Sequence, residues 1–161
     1  MTVYRKLRPI IIFILLWLVI LAPACSRSQE IGQIKDAVLK YDQLLAEGYR
    51  EMNMTSMNEV ATKEEVARLY FHMAALGEAK VRLESELKRI EFQDVKLINA
   101  GSALVRTEET WDFKHVNYIT QKIQLDEKGF IYNLVYELVK KDDKWLVAKV
   151  TSVPEEKTTP K

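Results

Sequence analysis

Cysteine occurs once in this chain, at position 25, so no disulfide can close within it. Histidine occurs twice, as His72 and His115, and neither stands in a metal-binding spacing. One thiol and two imidazoles fall short of the three or four converging ligands a zinc site needs, so no metal and no cofactor is implied. Five glycines and four prolines in 161 residues leave no low-complexity linker, and no segment repeats. The length suits one domain with a single core. Beyond the first residues no Lys/Arg cluster is long enough to neutralise several phosphates, which argues against nucleic acid. An apolar run of the roughly 20 residues that cross a bilayer is also missing.

The longest apolar run is Ile11 to Leu21, with Arg5, Lys6 and Arg8 before it and Ala22, Pro23 and Ala24 after it. A basic start, an apolar middle and small residues at the end are the three parts of an export signal. The basic flank holds the N-terminus in the cytoplasm and sends the rest outward. Pro23 is expected to end the apolar helix. Leu21-Ala22-Pro23-Ala24-Cys25 resembles the lipobox of bacterial lipoproteins. That resemblance implies a signal peptide over residues 1–24, cleaved before Cys25, and a lipidated Cys25 that makes membrane lipid a partner. Ser26 in the next position suits delivery to the periplasmic face of an outer membrane. A thiol is readily alkylated, and each buried lipid methylene contributes about 0.8 kcal/mol, so two or more acyl chains hold a domain durably. A plain export signal with an incidental thiol, or an uncleaved anchor, is the alternative.

Loss of residues 1–24 removes three of the 24 basic residues and no acidic one, leaving 21 against 23 and a formal charge of −2. Residues 25–30 read as a short tether, 31–153 as one domain, and 154–161, charged and rich in Pro and Thr, as a frayed tail. Ile31, Ile34, Val38, Tyr41, Leu45, Tyr49 and Met52 recur at helical spacing, with Lys35, Asp36, Lys40, Asp42, Gln43 and Glu47 assigned to the opposite side. Thr62 and Glu65 form a capping box that opens a second helix, expected to run to about Lys88.

From Ile90 the apolar period is two. Ile90 to Ile98 reads as a strand with a bulge near Asp94, and residues 99–102 as a turn. Ala103 to Val116 is a long strand with Val105, Thr107, Glu109, Trp111 and Phe113 on one face. Residues 117–125 are expected to pair with it, and Asp126 to Gly129 to form a turn. The stretch from Phe130 is a further strand, Lys141 to Lys144 reverses the chain, and Trp145 to Val153 closes it. Helices first and an antiparallel meander afterwards predict an α+β fold with one sheet face covered by the helices.

The order of elements, with Tyr136-Glu137-Leu138-Val139 before a charged turn and Trp145-Leu146-Val147 after it, resembles the nuclear transport factor 2-like superfamily. The segment EETWDF at 108–113 adds to the likeness. The resemblance implies a cone-like fold: N-terminal helices packed on a strongly curved antiparallel sheet, with a pocket at the open end. Members of that superfamily include isomerases and dehydratases, and many others that bind partners or pair as dimers.

Glu109 is the candidate acid or base, because a carboxylate buried among Thr107, Trp111 and Phe113 has its pKa raised into a useful range. Tyr132 or Tyr136 would hold developing oxyanion charge. Trp111, Phe113, Tyr132, Tyr136 and Trp145 are candidate pocket or interface residues. His72 reads as a boundary residue of its helix. His115 does not pair with Asp112, since strand positions three apart face opposite ways. Two functions are therefore expected: an anchored envelope lipoprotein that binds a protein partner or a second copy without chemistry, or a small-molecule cone using Glu109. A shallow pocket with an exposed apolar patch marks the first, and a deep pocket with a carboxylate in reach of a tyrosine marks the second.

Overall fold

The computed structural model describes residues 22–154; the expected signal segment up to residue 21 and the tail from residue 155 lie outside the described residues. The backbone falls into two units, one ending at Gln33 and one beginning at Ile34. In the first, the chain from Ala22 onward is helical, as the start of α1 (Ala22–Glu51). Residues 25–30, expected as a tether, are thus helical backbone, and Cys25 stands in the first turn. Pro23 stands near the start of α1 as described, and the apolar segment it is expected to end lies outside the described residues. The first positions of a helix have no intrahelical N–H bond for proline to remove. Among the described residues no helix is long and apolar enough to cross a membrane.

The second unit carries the remainder of α1, a 3-10 turn (Thr55–Glu59), α2 (Lys63–Glu78) and four strands: β1 (Val81–Asn99), β2 (Ser102–Asn117), β3 (Ile123–Lys141) and β4 (Lys144–Ser152). Ile34, Val38, Tyr41 and Tyr49 of α1 are buried, as the helical spacing predicts, while Leu44 is buried where Leu45 is expected and Leu45 is only partly so. The helix stops in a Schellman turn. The Asn53 N–H donates to Gly48 O at 2.9 Å and the Met52 N–H to Tyr49 O at 3.4 Å. Met52 takes φ +54°, an unusual choice for a side chain with a Cβ. Glycine at 48 is what lets the turn close, because a Cβ there would stand 2.7 Å from Met54 Sδ.

Thr62 Oγ1 accepts the Glu65 N–H at 3.4 Å, which is the expected cap of α2. The reciprocal half of the capping box does not form. The Thr62 N–H donates instead to Val147 O at 2.9 Å, and the Glu65 side chain is buried elsewhere. α2 ends at Glu78 and not near Lys88: Lys80, at φ +60°, donates its N–H to Gly77 O at 2.9 Å and turns the chain. Val81, Leu83 and Leu87, expected on the helix, therefore lie on β1. Their spacing suits both periods, and the left-handed residue at 80 decides between them.

The strands form one antiparallel sheet in the order β1-β2-β3-β4. The turn at 99–102 and the bulge near Asp94 are where the sequence predicts them. β3 differs. Pairing begins at Ile123 and not at residue 117, because Asn117 Oδ1 accepts the Ile119 and Thr120 N–H groups and holds a turn there. Asp126 to Gly129, expected as a turn, runs inside the strand. Trp111 pairs with Phe130 and Phe113 with Glu127, so Lys128 and Gly129 together face Asp112 alone. This bulge is held by the Gly129 N–H on Asp112 Oδ1 at 2.9 Å and by Lys128 Nζ on Oδ2 at 3.2 Å. Gly129 has φ +65°, which glycine adopts without steric cost. Asp142 and Asp143, both at positive φ, make the expected reversal into β4.

Bulges bend and over-twist a sheet, and this one curls around the helices as the expected α+β cone. Its core joins Val38 and Tyr41 of α1, Val66 and Leu69 of α2, and Val105, Leu138, Trp145 and Val147 of the sheet. Full burial of each such aliphatic chain contributes roughly 1.5–3 kcal/mol.

Candidate functional site

Alternation along β2 turns Val105, Thr107, Glu109 and Trp111 to the same buried face. Glu109 is 0% exposed. A carboxylate in that position is tolerable only with partners, and three donors converge on it. Thr107 Oγ1 donates to Oε1 at 2.7 Å, Trp111 Nε1 to Oε2 at 2.8 Å, and the Tyr136 hydroxyl to Oε1 at 2.7 Å. Two of these donors are the i−2 and i+2 neighbours on the same strand face, so the strand builds most of the carboxylate's cradle itself.

The Tyr136 hydroxyl also lies 2.9 Å from Oδ1 of Asp42 on α1. A phenol carries one proton and cannot donate to two carboxylates at once. Since Glu109 already accepts from Thr107 and Trp111, the arrangement closes when Asp42 carries the second proton. Asp42 then donates to the phenol oxygen, and the phenol donates to Glu109. Burial, with the negative charge of Glu109 beside it, pushes the Asp42 carboxyl well above the usual carboxylate range, against the lowering effect of Tyr136. Burial likewise pushes the Tyr136 phenol well above its ordinary value. Asp42 Oδ2 is buried and has no hydrogen-bond partner among the described residues.

These groups border a cavity of about 390 Å³. Asp42, Glu109 and Tyr136, all 2% exposed or less, form its buried end. Leu45, Leu83 and Leu134 with Trp111, Phe113 and Tyr132 supply apolar wall, and Arg68 and His72 mark its exposed side. Arg68 is held in a fork on Glu65, Nε to Oε2 at 2.9 Å and Nη2 to Oε1 at 2.6 Å. Tyr41 donates to Glu65 Oε1 at 2.6 Å, and burial followed by that bond raises its phenol. Tyr49, whose hydroxyl lies 2.5 Å from His72 Nδ1, is pushed up to about 12 by burial.

Of the residues singled out in the sequence, Glu109, Trp111, Phe113, Tyr132 and Tyr136 line the cavity together. Trp145 does not. It is 5% exposed within the core, with Lys140 Nζ 5.6 Å from its ring centre. His115 also borders the cavity, while Asp112 is engaged at the bulge. Asp42, assigned by sequence to the polar side of α1, is buried and central. It stands four residues after Val38 and seven before Tyr49, spacings that place it on the buried stripe. Among the described residues no group of three or more His, Cys, Asp or Glu side chains could hold a metal ion.

No protein-family model and no curated protein matches this chain. Solved structures do. The intermembrane space region of the chloroplast protein ARC6 superposes with a TM-score of 0.65 at 11% identity, over 75% of this chain and 94% of that one. A ketosteroid isomerase-like protein from Erwinia carotovora atroseptica gives 0.52 at 15% identity, over 78% and 97%. A periplasmic fragment of TraM gives 0.50 at 11%, over 73% and 96%. What is shared at these identities is the fold, helices packed on a curled antiparallel sheet.

Proposed function

We propose that this chain is an exported envelope protein, anchored through a lipidated Cys25, whose cone binds a small molecule without transforming it. The observation that carries the binding role is the cavity closed at one end by Asp42, Tyr136 and Glu109. A concave, largely apolar space with a few convergent polar groups is the usual form of a small-molecule site. Binding is favoured over turnover because Glu109 is fully buried and three donors already hold its oxygens, two of them on Oε1. A general base needs a lone pair facing its substrate. An isomerase- or dehydratase-like role for Glu109 is the less favoured form of the same reading. The envelope location draws on the export signal, and the periplasmic and intermembrane-space settings of the TraM and ARC6 regions agree with it.

The test is recovery of the full chain from gently solubilised membranes of its host, followed by solvent extraction and mass spectrometry. A stoichiometric compound retained by the wild type and lost in Ser85→Trp, which fills the cavity from β1, is the expected result. A cavity that yields no compound, with retention unaltered by the substitution, would remove the proposal. The Cys25→Ala chain should leave the membrane fraction and lack the mass of the acyl groups.

A protein partner or second copy is a further reading, favoured by one feature. Ile123, Leu125, Phe130 and Ile131 of β3 are exposed, and β4 pairs with β3 only from Leu134 onward. Ile131→Asp should then abolish co-purification of a partner while leaving any retained small molecule in place.

A further inference from the structure

We infer that the ligand of this cavity is an ammonium compound with an apolar body, its charged head received by Asp42 beside Glu109. The inference rests on the small-molecule reading above and specifies its chemistry. Four observations lead to it. Among the described residues Asp42 Oδ2 is buried without a partner, and an acceptor left in that condition carries a desolvation cost that a donor would recover. Among the described residues the buried end of the cavity holds two carboxyl groups and no basic side chain. Its walls include Tyr41, Trp111, Phe113 and Tyr132, whose ring faces attract cations in addition to covering apolar surface. Lastly, the single Tyr136 hydroxyl lies between the two buried carboxyl groups, so their hydrogen bonds are completed by a second proton on the pair, whose place a bound cation would take.

The exchange balances. The ammonium head enters with its charge, Asp42 releases one proton to solvent, and the ionised Asp42 pairs with the head. Tyr136 keeps its proton on Glu109. The charge left in the site matches that of the unliganded state, so the ligand replaces the proton. Other titratable groups facing the cavity are Glu109 and His115 on β2, Arg68 and His72 on α2, Tyr41 and Tyr49 on α1, and Tyr132 and Tyr136 on β3; β1 and β4 contribute Leu83, Ser85 and Val150, which do not titrate. Arg68 is neutralised by its fork on Glu65 and leaves the negative balance of the far end intact. A carboxylate ligand would meet Glu109, and a neutral alcohol would satisfy Oδ2 without releasing the proton.

Calorimetric titration of the full chain in detergent, with 2-phenylethylamine and 2-phenylethanol as probes, separates these cases. Repeating the titrations in buffers of different ionisation enthalpy counts the protons released. Quenching of Trp111 fluorescence reports occupancy of the cavity. The amine should bind at least tenfold more tightly than the alcohol at pH 8, release close to one proton, and lose most of that advantage at pH 5. Asp42→Asn copies the protonated acid, donating through its NH₂ to Tyr136 and offering a carbonyl in place of Oδ2. It should bind the alcohol like the wild type, bind the amine no better, and release no proton. Equal affinity of the wild type for both probes, without proton release, would overturn the ammonium assignment and leave the small-molecule site standing. Amine preference whose pH dependence survives in Asp42→Asn would move the titration to His72 or His115 and overturn it as well. Failure of both probes to bind would remove the cavity reading itself. The wild-type comparison needs no variant, so a poorly folded Asp42→Asn chain does not spoil the test.

Discussion

The phenol of Tyr136 on β3 stands 2.9 Å from Oδ1 of Asp42 on α1, ninety-four residues away in sequence. With Glu109 as its other partner, this hydroxyl ties the first helix to two strands through one atom. Tyr136→Phe keeps the ring and its edge contact with Tyr41 but removes the tie. Asp42 and Glu109 would each lose a partner in a buried setting, so unfolding free energy should fall by about 1–3 kcal/mol. Urea denaturation followed by tryptophan fluorescence measures it. A loss below a few tenths would mean that the network adds nothing to stability.

Asp42 makes stability depend on pH in the direction opposite to an ordinary paired carboxylate. In the unfolded chain it ionises near 3.8, while burial and Glu109 hold it protonated in the fold well above that. The folded state therefore binds a proton that the unfolded state has released. The resulting stabilisation is complete below 3.8 and is lost as pH rises through the folded value, by at most about 1.4 kcal/mol per pH unit. Asp42→Asn should remove this component. Urea titrations at several pH values between 4 and 9, wild type minus variant, isolate it from the other carboxylates. A difference that is flat across the range would count against a protonated Asp42.

Glu65 is buried and carries the charge that Arg68 neutralises from the surface. Arg68→Ala leaves a buried carboxylate with only the Tyr41 hydroxyl, and should cost about 2 kcal/mol even though the guanidinium is partly exposed. The pair replaced together, Glu65→Leu with Arg68→Met, should cost less than Arg68→Ala alone, because the uncompensated charge disappears with its partner. A double-mutant cycle by chemical denaturation tests the order of the two losses.

The turn after α1 predicts substitutions of opposite sign at neighbouring positions. Met52→Gly relieves a left-handed conformation that costs a residue with a Cβ about 1 kcal/mol, and should raise the melting temperature by a few degrees. Gly48→Ala drives a methyl against Met54 Sδ and the Asn53 carbonyl and should lower it. Thermal melts of the two variants check both directions.

The architecture was legible where one period dominates. The stripe Ile34-Val38-Tyr41, the Thr62 cap and the inward face Thr107-Glu109-Trp111 are all as their spacing predicts. The boundary between α2 and β1 was not, since Leu83 and Leu87 fit a helix and a strand equally and the deciding residue, Lys80, has no turn propensity of its own. The site was half legible for a related reason. Alternation shows that Glu109 faces inward, and only tertiary packing brings Tyr136 and Asp42 to it. Residue type misplaced Asp42: its charge suggested solvent, although its distance from Val38 put it on the buried stripe.

The bulge opposite Asp112 works as a frame shift in the reading of β3. Before it the partners of the cavity-lining positions of β2, His115 and Phe113, are odd-numbered, Leu125 and Glu127; after it the partners of Trp111 and Glu109 are even, Phe130 and Tyr132, and the even frame continues through Leu134 to Tyr136. One inserted residue thus decides which set of side chains the strand shows to the inside. Deleting Lys128 or Gly129 would change no cavity residue, yet it would demand that one half of the strand turn over. Over this stretch the chain should tolerate a change of letters far better than a change of count.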